Sequence, residues 1–214
     1  PKPGYENGPA MIGICTSTDL RHWEIEDPAM KPDPFCRWEA GGLYKSWLME
    51  YNGIFYMFYN AKNRSEGAWA EQIGVATSRD LLHFERYAGN PVLQIGTAGQ
   101  FDDIFASDPC VFRYEDTWVM FYYGNSSDGH ARDGAAVSKD LLHWEKIDEV
   151  LIDVGEEGSV DSIYAHKPGI LVKDGVLYHF YCAVSPAKPE QMGDIDYNEM
   201  RGISVALSQP PGGD

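Results

Sequence analysis

"TSRDLLHFE" (residues 77–85) has two near copies in this chain, "TSTDLRHWE" at 16–24 and "VSKDLLHWE" at 137–145. Asp19, Asp80 and Asp140 hold the same place in the phrase, at spacings of 61 and 60 residues. Self-similarity at a fixed period marks a stack of equivalent units before any single motif does. Upstream of each later phrase stands a second recurring block: "LMEYNGIFYMFYN" from Leu48, "VFRYEDTWVMFYYG" from Val111 and "ILVKDGVLYHFYCA" from Ile170. Each reads as a strand, a tight turn and an aromatic strand. Asn-Gly and Asp-Gly accept the positive φ that hairpin turns need, and runs such as "FYMFY" are β-favouring. The opening phrase then supplies a third strand ("IGVATS"), a turn over "RDLLH" and the start of a fourth strand at "HFERY".

The unit is a four-stranded antiparallel sheet, and radial repetition of such sheets gives an all-β fold, a β-propeller. Ahead of Glu39 only a third and fourth strand are read (Met11 to Ile25); two full units follow, and three strands come after His166, ending at "GISVALS". One domain over 1–214 thus holds about three and a half blades, fewer than the ~4–8 of a closed propeller. The expectation is a piece of a longer propeller, or closure by an oligomeric partner or a further chain segment.

Seventeen basic against thirty-three acidic residues give a formal charge of -16. That balance repels phosphate backbones and anionic lipid, so nucleic acid and membrane are excluded as partners and a neutral glycan is favoured. No apolar run nears the ~18 residues of a membrane helix, and the chain is expected to be soluble, in the cytoplasm or exported. Cys15, Cys36, Cys110 and Cys182 form no C-x-x-C pair and read as buried thiols.

"VATSRDLLHFE", "AAVSKDLLHWE", "SDPCVFRYEDTWVMFYYG" and "HKPGILVKDGVLYHFY" together resemble the five-bladed propeller glycosidases, the clan of glycoside hydrolase families 43 and 32 with relatives in families 117 and 130. The resemblance spans roughly Met11 to Ser208. It implies hydrolysis of glycosidic bonds in arabinofuranosides, xylosides, fructosides or galactofuranosides by carboxylates around a central pocket. It implies an oligosaccharide or glycoside partner and no required cofactor, with a calcium ion near the axis in some members. The W-x-N-D-P-N-G signature of family 32 and an E-G-P or E-C-P acid motif are absent, so the resemblance assigns no general acid.

Aligning the first strands on their "FY" ends puts Lys45, Asp108 and Lys167 in one column, and Glu39, Asp102 and Asp161 in another six residues earlier. A residue type found in every unit serves the unit, whereas one that breaks its column serves a site. Asp108 breaks a lysine column and resembles the clan's D-P motif, which makes it the first candidate for base, nucleophile or transition-state stabiliser. Pro109, unable to donate to a ladder, is expected to fix Asp108 where its strand begins. Glycoside hydrolysis needs a second carboxyl, protonated as the acid; in an inverting enzyme it stands roughly 6.5–9.5 Å away, a span open to neighbouring blades. Glu39 beside Trp38 is the candidate acid, with Asp161 a further catalytic candidate, although repetition of the column equally suits a blade-to-blade hydrogen bond. Asp102 and Asp103 are placed with the substrate-binding residues. His166 is expected at the same rim to bind a hydroxyl or tune a carboxylate. Lys45 and Lys167 are expected to lower a carboxylate's pKa or bind an acidic sugar, and Trp47 to stack on a sugar face or pack in the core. The loops 124–134 and 185–202 read as pocket-shaping rim loops. His22, His83 and His143 belong to the repeated phrase and read as structural. No spacing marks a dedicated metal site. The leading function is a glycoside hydrolase; the alternatives are a non-catalytic carbohydrate-binding propeller and a phosphorolytic relative.

Overall fold

A computed structural model of the protein describes residues 9–63, 69–188, 190 and 198–208. It is all-β in the propeller arrangement. A remnant unit pairs β1 (Cys15–Thr16) with β2 (Glu24–Ile25). The first full blade is β3 (Gly42–Tyr51), β4 (Ile54–Lys62), β5 (Glu71–Ser78) and β6 (Glu85–Arg86). The second is β7 (Phe105–Tyr114), β8 (Thr117–Asn125), β9 (Ala131–Ser138) and β10 (Glu145–Lys146). The last unit shows β11 (Tyr164–Lys173), β12 (Val176–Pro186) and β13 (Glu199–Leu207).

The turns form as their chemistry demands. Asn52-Gly53 and Asp174-Gly175 take positive φ at both positions, closing Tyr51 on Ile54 and Lys173 on Val176. The repeated phrase is a built turn in all three copies. In the middle one Asp80 Oδ1 accepts from the amides of Leu82 and His83, Oδ2 meets His83 Nδ1 at 2.7 Å, and Leu81 sits at φ 67°. These bonds hold the Asp19, Asp80 and Asp140 carboxyls below the usual carboxylate range; bonds to His22 and His83 lead at the first two, while at Asp140 the upward push of burial is outweighed by the bonds to His143 and Leu142. The fourth strands are only two residues long, which blunts the outer edges.

Blades touch at their inner ends. Short parallel bridges join Glu71 to Phe105, and Ala131–Arg132 to Tyr164–Ala165. The main core lies between the two full blades, where Phe58, Ile73, Val75, Met120 and Tyr122 pack with Leu93 and Leu141. On β13, Ile203, Val205 and Leu207 are exposed. The cysteines are all free; Cys110 is buried, Cys36 and Cys182 are half-buried, and Cys15 is exposed, contrary to the expectation of four buried thiols. A two-residue strand beside a polar turn gives Cys15 nothing to pack under. No helix among the described residues is long and apolar enough to cross a membrane.

Candidate active site

Each inner strand carries a bulge at the same place: between Tyr44 and Ser46, between Ser107 and Cys110, and between His166 and Gly169. The bulges fall on the column of Lys45, Asp108 and Lys167. Asp108 and Lys167 take left-handed backbone at φ 54° and 67°, a conformation that costs a non-glycine residue about 1–2 kcal/mol and recurs where a side chain is re-aimed at a site. Pro109 therefore does not open the strand, as the sequence suggested. It lies inside β7, at a bulge where the ladder leaves no amide to be satisfied.

The bulges aim the column into a cavity of about 270 Å³. Asp108 is buried to 5% exposure, and its Oδ2 meets Lys45 Nζ at 3.1 Å. Across from it stands Glu71, the first residue of β5, at 7% exposure. The Ser107 hydroxyl lies 2.7 Å from Glu71 Oε2 and 3.3 Å from Asp108 Oδ1. One hydroxyl within reach of both keeps those two oxygens no more than about 6 Å apart, short of the ~6.5–9.5 Å between the carboxyls of inverting glycosidases. Asn60 Nδ2 donates to the same Glu71 oxygen at 3.0 Å. Burial pushes the Glu71 carboxyl above the ordinary range, Ser107 pulls it back, and the Asp108 charge pushes it further up. A carboxyl raised by burial beside one held in an ion pair is the kind of arrangement that general acid catalysis uses. Trp69, Tyr44 and Tyr123 supply aromatic walls, and Lys167 reaches the same space.

The other column is not brought here. Glu39 is fully buried, accepting from Tyr59 Oη at 3.1 Å and the Asp33 amide at 2.9 Å, and ion-paired with Arg86 at 2.9 Å. Asp102 accepts from Tyr122 Oη at 3.0 Å and pairs with Lys146. Asp161 accepts from Tyr181 Oη at 2.8 Å and from Ser159 Oγ. Each blade thus uses this carboxylate to clamp the tyrosine of its own "FY" pair, the repeated hydrogen bond that the column allowed, and none of the three lines the cavity of Asp108. Tyr122→Phe is expected to cost about 1–2 kcal/mol in denaturant melts, with kcat/KM within about 2-fold of wild type, because it removes a buried hydrogen bond and no reacting group.

Asp103 is spent on a loop, accepting from the Gly99 and Ser127 amides and from Ser127 Oγ. A separate cavity of about 410 Å³ lies beside Asp102 and Arg132, but Lys146 and Arg132 there are already paired with carboxylates. Trp47 packs against the cores between blades, not on the cavity. His166 is 5% exposed, its Nδ1 3.2 Å from the Cys182 carbonyl, with Tyr123 and Tyr164 edge-on to its ring. Burial, then Lys167, lowers its pKa to about 4, so it is neutral, and an Nδ1–H donated to Cys182 leaves Nε2 as an acceptor. The loop 124–134 is a tight polar turn knit by Ser126, Asp128 and Arg132; most of 189–197 lies outside the described residues.

No group of three or more His, Cys, Asp or Glu side chains converges among the described residues. Asp108 is flanked in its column by two lysines, so the residues present do not fit a calcium ion at this place.

A profile of the glycosyl hydrolases family 32 N-terminal domain matches residues 2–160. The chain belongs to that family. The family 32 match covers the remnant and both full blades, including Glu71 and Asp108, even though the W-x-N-D-P-N-G signature is absent. A solved structure of a glycoside hydrolase superposes with a TM-score of 0.71 at 30% identity, over 94% of this chain and 57% of that one. The 1,2-beta-oligomannan phosphorylase of Thermoanaerobacter sp. (strain X514) is 24% identical over 141 residues, 63% of this chain and 47% of its own length. Sucrose-6-phosphate hydrolase of Escherichia coli is 30% identical over 118 residues, 53% of this chain and 23% of its own. The chain spans about half the length of the first curated relatives it matches.

Proposed function

We propose that this domain hydrolyses glycosidic bonds, with Asp108 as the ionised carboxylate and Glu71 as the general acid. The observation that carries the reading is the Ser107 hydroxyl within reach of both carboxylates, one in an ion pair and one driven toward its protonated form. Asp108, charged and held by Lys45, attacks or stabilises the anomeric carbon as the bond to the leaving group breaks. Glu71 hands its proton to the departing oxygen, and its carboxylate then takes a proton from the incoming water, which adds to the anomeric carbon and frees Asp108. The close spacing favours retention of anomeric configuration. Trp69 is the stacking surface: Lys62 Nζ covers one part of it at 3.6 Å and Phe105 packs at 5.4 Å, which fixes the indole plane. The glycones that suit the resemblance are arabinofuranosides, xylosides, fructosides and galactofuranosides.

A phosphorolytic reading has one observation in its favour, the lysine pair at the cavity. A panel of aryl arabinofuranoside, xyloside, fructoside, galactofuranoside, mannoside, glucuronide and galacturonide, run with and without inorganic phosphate, separates the two. Hydrolysis is expected for at least one glycoside, unaffected by phosphate. A strict requirement for phosphate would select the second reading; sugar binding with no turnover of any glycoside would leave a binding module.

A further inference from the structure

Although the protein carries a formal charge of -16, its cavity does not share that sign. Two lysines and two carboxyls face it: Lys45 and Lys167 against Asp108 and Glu71. Lys45 is committed to Asp108 at 3.1 Å. Glu71 is held toward its neutral form by burial. Lys167 has no carboxylate partner among the described residues, so its ammonium is the cationic group of the lining without a paired charge. Exposed charges farther than about 8–10 Å are screened from it, and the buried Asp133, which feels the Asp108 and Lys45 charges, is paired with His179. His166, next in sequence, is held neutral by burial and by that ammonium.

We propose that the sugar taken by this cavity carries a carboxylate, which Lys167 binds. The inference rests on the reading of the cavity as a glycosidase site. The bulge that aims Asp108 at the cavity is repeated at Lys167, with the same left-handed backbone. A lysine has no side-chain bond of its own to relieve that conformation, so the fold holds the ammonium where it is at a cost. A glycosidic bond breaks through a transition state with positive charge on the ring, and an unpaired ammonium in a cavity of about 270 Å³ opposes it. A carboxylate on the sugar removes that opposition and gains a charge-assisted hydrogen bond. An uncharged sugar does neither. Phosphate shares the oxyanion chemistry, but its charge of about -1.5 to -2 exceeds what one free ammonium balances.

Calorimetry on the intact chain tests this with matched pairs, galacturonate against galactose and glucuronate against glucose, alongside galactose 6-phosphate and inorganic phosphate. One uronate is expected to bind about 10-fold or more tighter than its neutral twin, and Lys167→Met to shrink that preference to about 2-fold or less with an unchanged melting temperature. Equal or tighter binding of the neutral sugars, or an undiminished preference in Lys167→Met, would overturn the inference while leaving hydrolysis standing. Phosphate or the phosphate ester binding tighter than either uronate would overturn it in favour of a phosphate site. Failure of every sugar to bind would remove the inference and the sugar site together.

Discussion

Asp108→Asn is expected to lower kcat/KM by about 10³-fold or more on whichever aryl glycoside the wild type cleaves fastest. The amide keeps the shape of the side chain and the reach of its oxygen to Lys45, but it can neither attack the anomeric carbon nor stabilise positive charge there. Stability responds far less. The lost partner, Lys45, is half exposed and returns to water, so the melting temperature is expected to move by less than about 4 °C. Lys45 Nζ meets only Asp108 among the ion pairs of the described residues, so a large loss of stability would mean that this carboxylate serves the fold. Full activity in the variant would remove Asp108 from the chemistry.

The largest expected effect on stability lies between the second blade and the last unit. Asp133 on β9 and His179 on β12 meet at 2.8 Å with exposures of 0% and 5%. Both depart from the repeat: the other units place Ile12, Ile73 and Ile203 where Asp133 stands, and Met57 and Met120 where His179 stands. Phe121 stands edge-on to the imidazole, Asp133 Oδ1 lacks a hydrogen-bond partner, and the Asp108 and Lys45 charges act on Asp133 from the neighbouring cavity. Burial pushes the Asp133 carboxyl up to about 7 against the pull of His179. His179→Met alone strands a buried carboxyl and is expected to cost about 3–5 kcal/mol, lowering the melting temperature by roughly 6–20 °C. The double variant Asp133→Ile/His179→Met puts the repeat's own side chains back and is expected to recover most or all of that loss. A double variant less stable than the single one would show that the pair holds the units together in a way apolar packing cannot replace. Calorimetric melts of the three proteins decide it.

How the sequence encodes these sites follows from the repeat. Equivalent blades make equivalent residues structural, and the phrase at 77–85 is legible as a turn because three copies cannot be three active sites. Asp108 is legible because it interrupts two lysines. Glu71 carries the same kind of signal on the third strand, where its column reads Ala10, Glu71, Ala131 and Arg201, and that column shows only when third strands are aligned in their turn. Glu39 reads as an acid beside Trp38, yet its recurrence as Asp102 and Asp161 reflects the tyrosine clamp. What the sequence does not display is contact between blades. The parallel bridge from Glu71 to Phe105 brings β5 beside the bulge of β7, so that Ser107 reaches both carboxylates. That pairing joins residues 34 apart through one bridge, with no periodicity to announce it.

The bulges are equally hidden. Pro109 and Pro168 mark two of them, but a proline after a charged residue reads as a strand boundary, and only the ladder on either side shows that the strand continues.

The pH dependence of kcat/KM for wild type and Glu71→Gln tests the paired-carboxylate assignment most directly. A general acid works only while protonated, so the wild-type rate should fall as pH rises through a carboxyl pKa lifted above the ordinary glutamate range of ~4.3. In Glu71→Gln that alkaline limb should vanish, with the rate down about 10²–10⁴-fold on poor leaving groups and much less on activated aryl glycosides. An alkaline limb that survives unchanged in Glu71→Gln would place the acid elsewhere and contradict the pairing of Asp108 with Glu71.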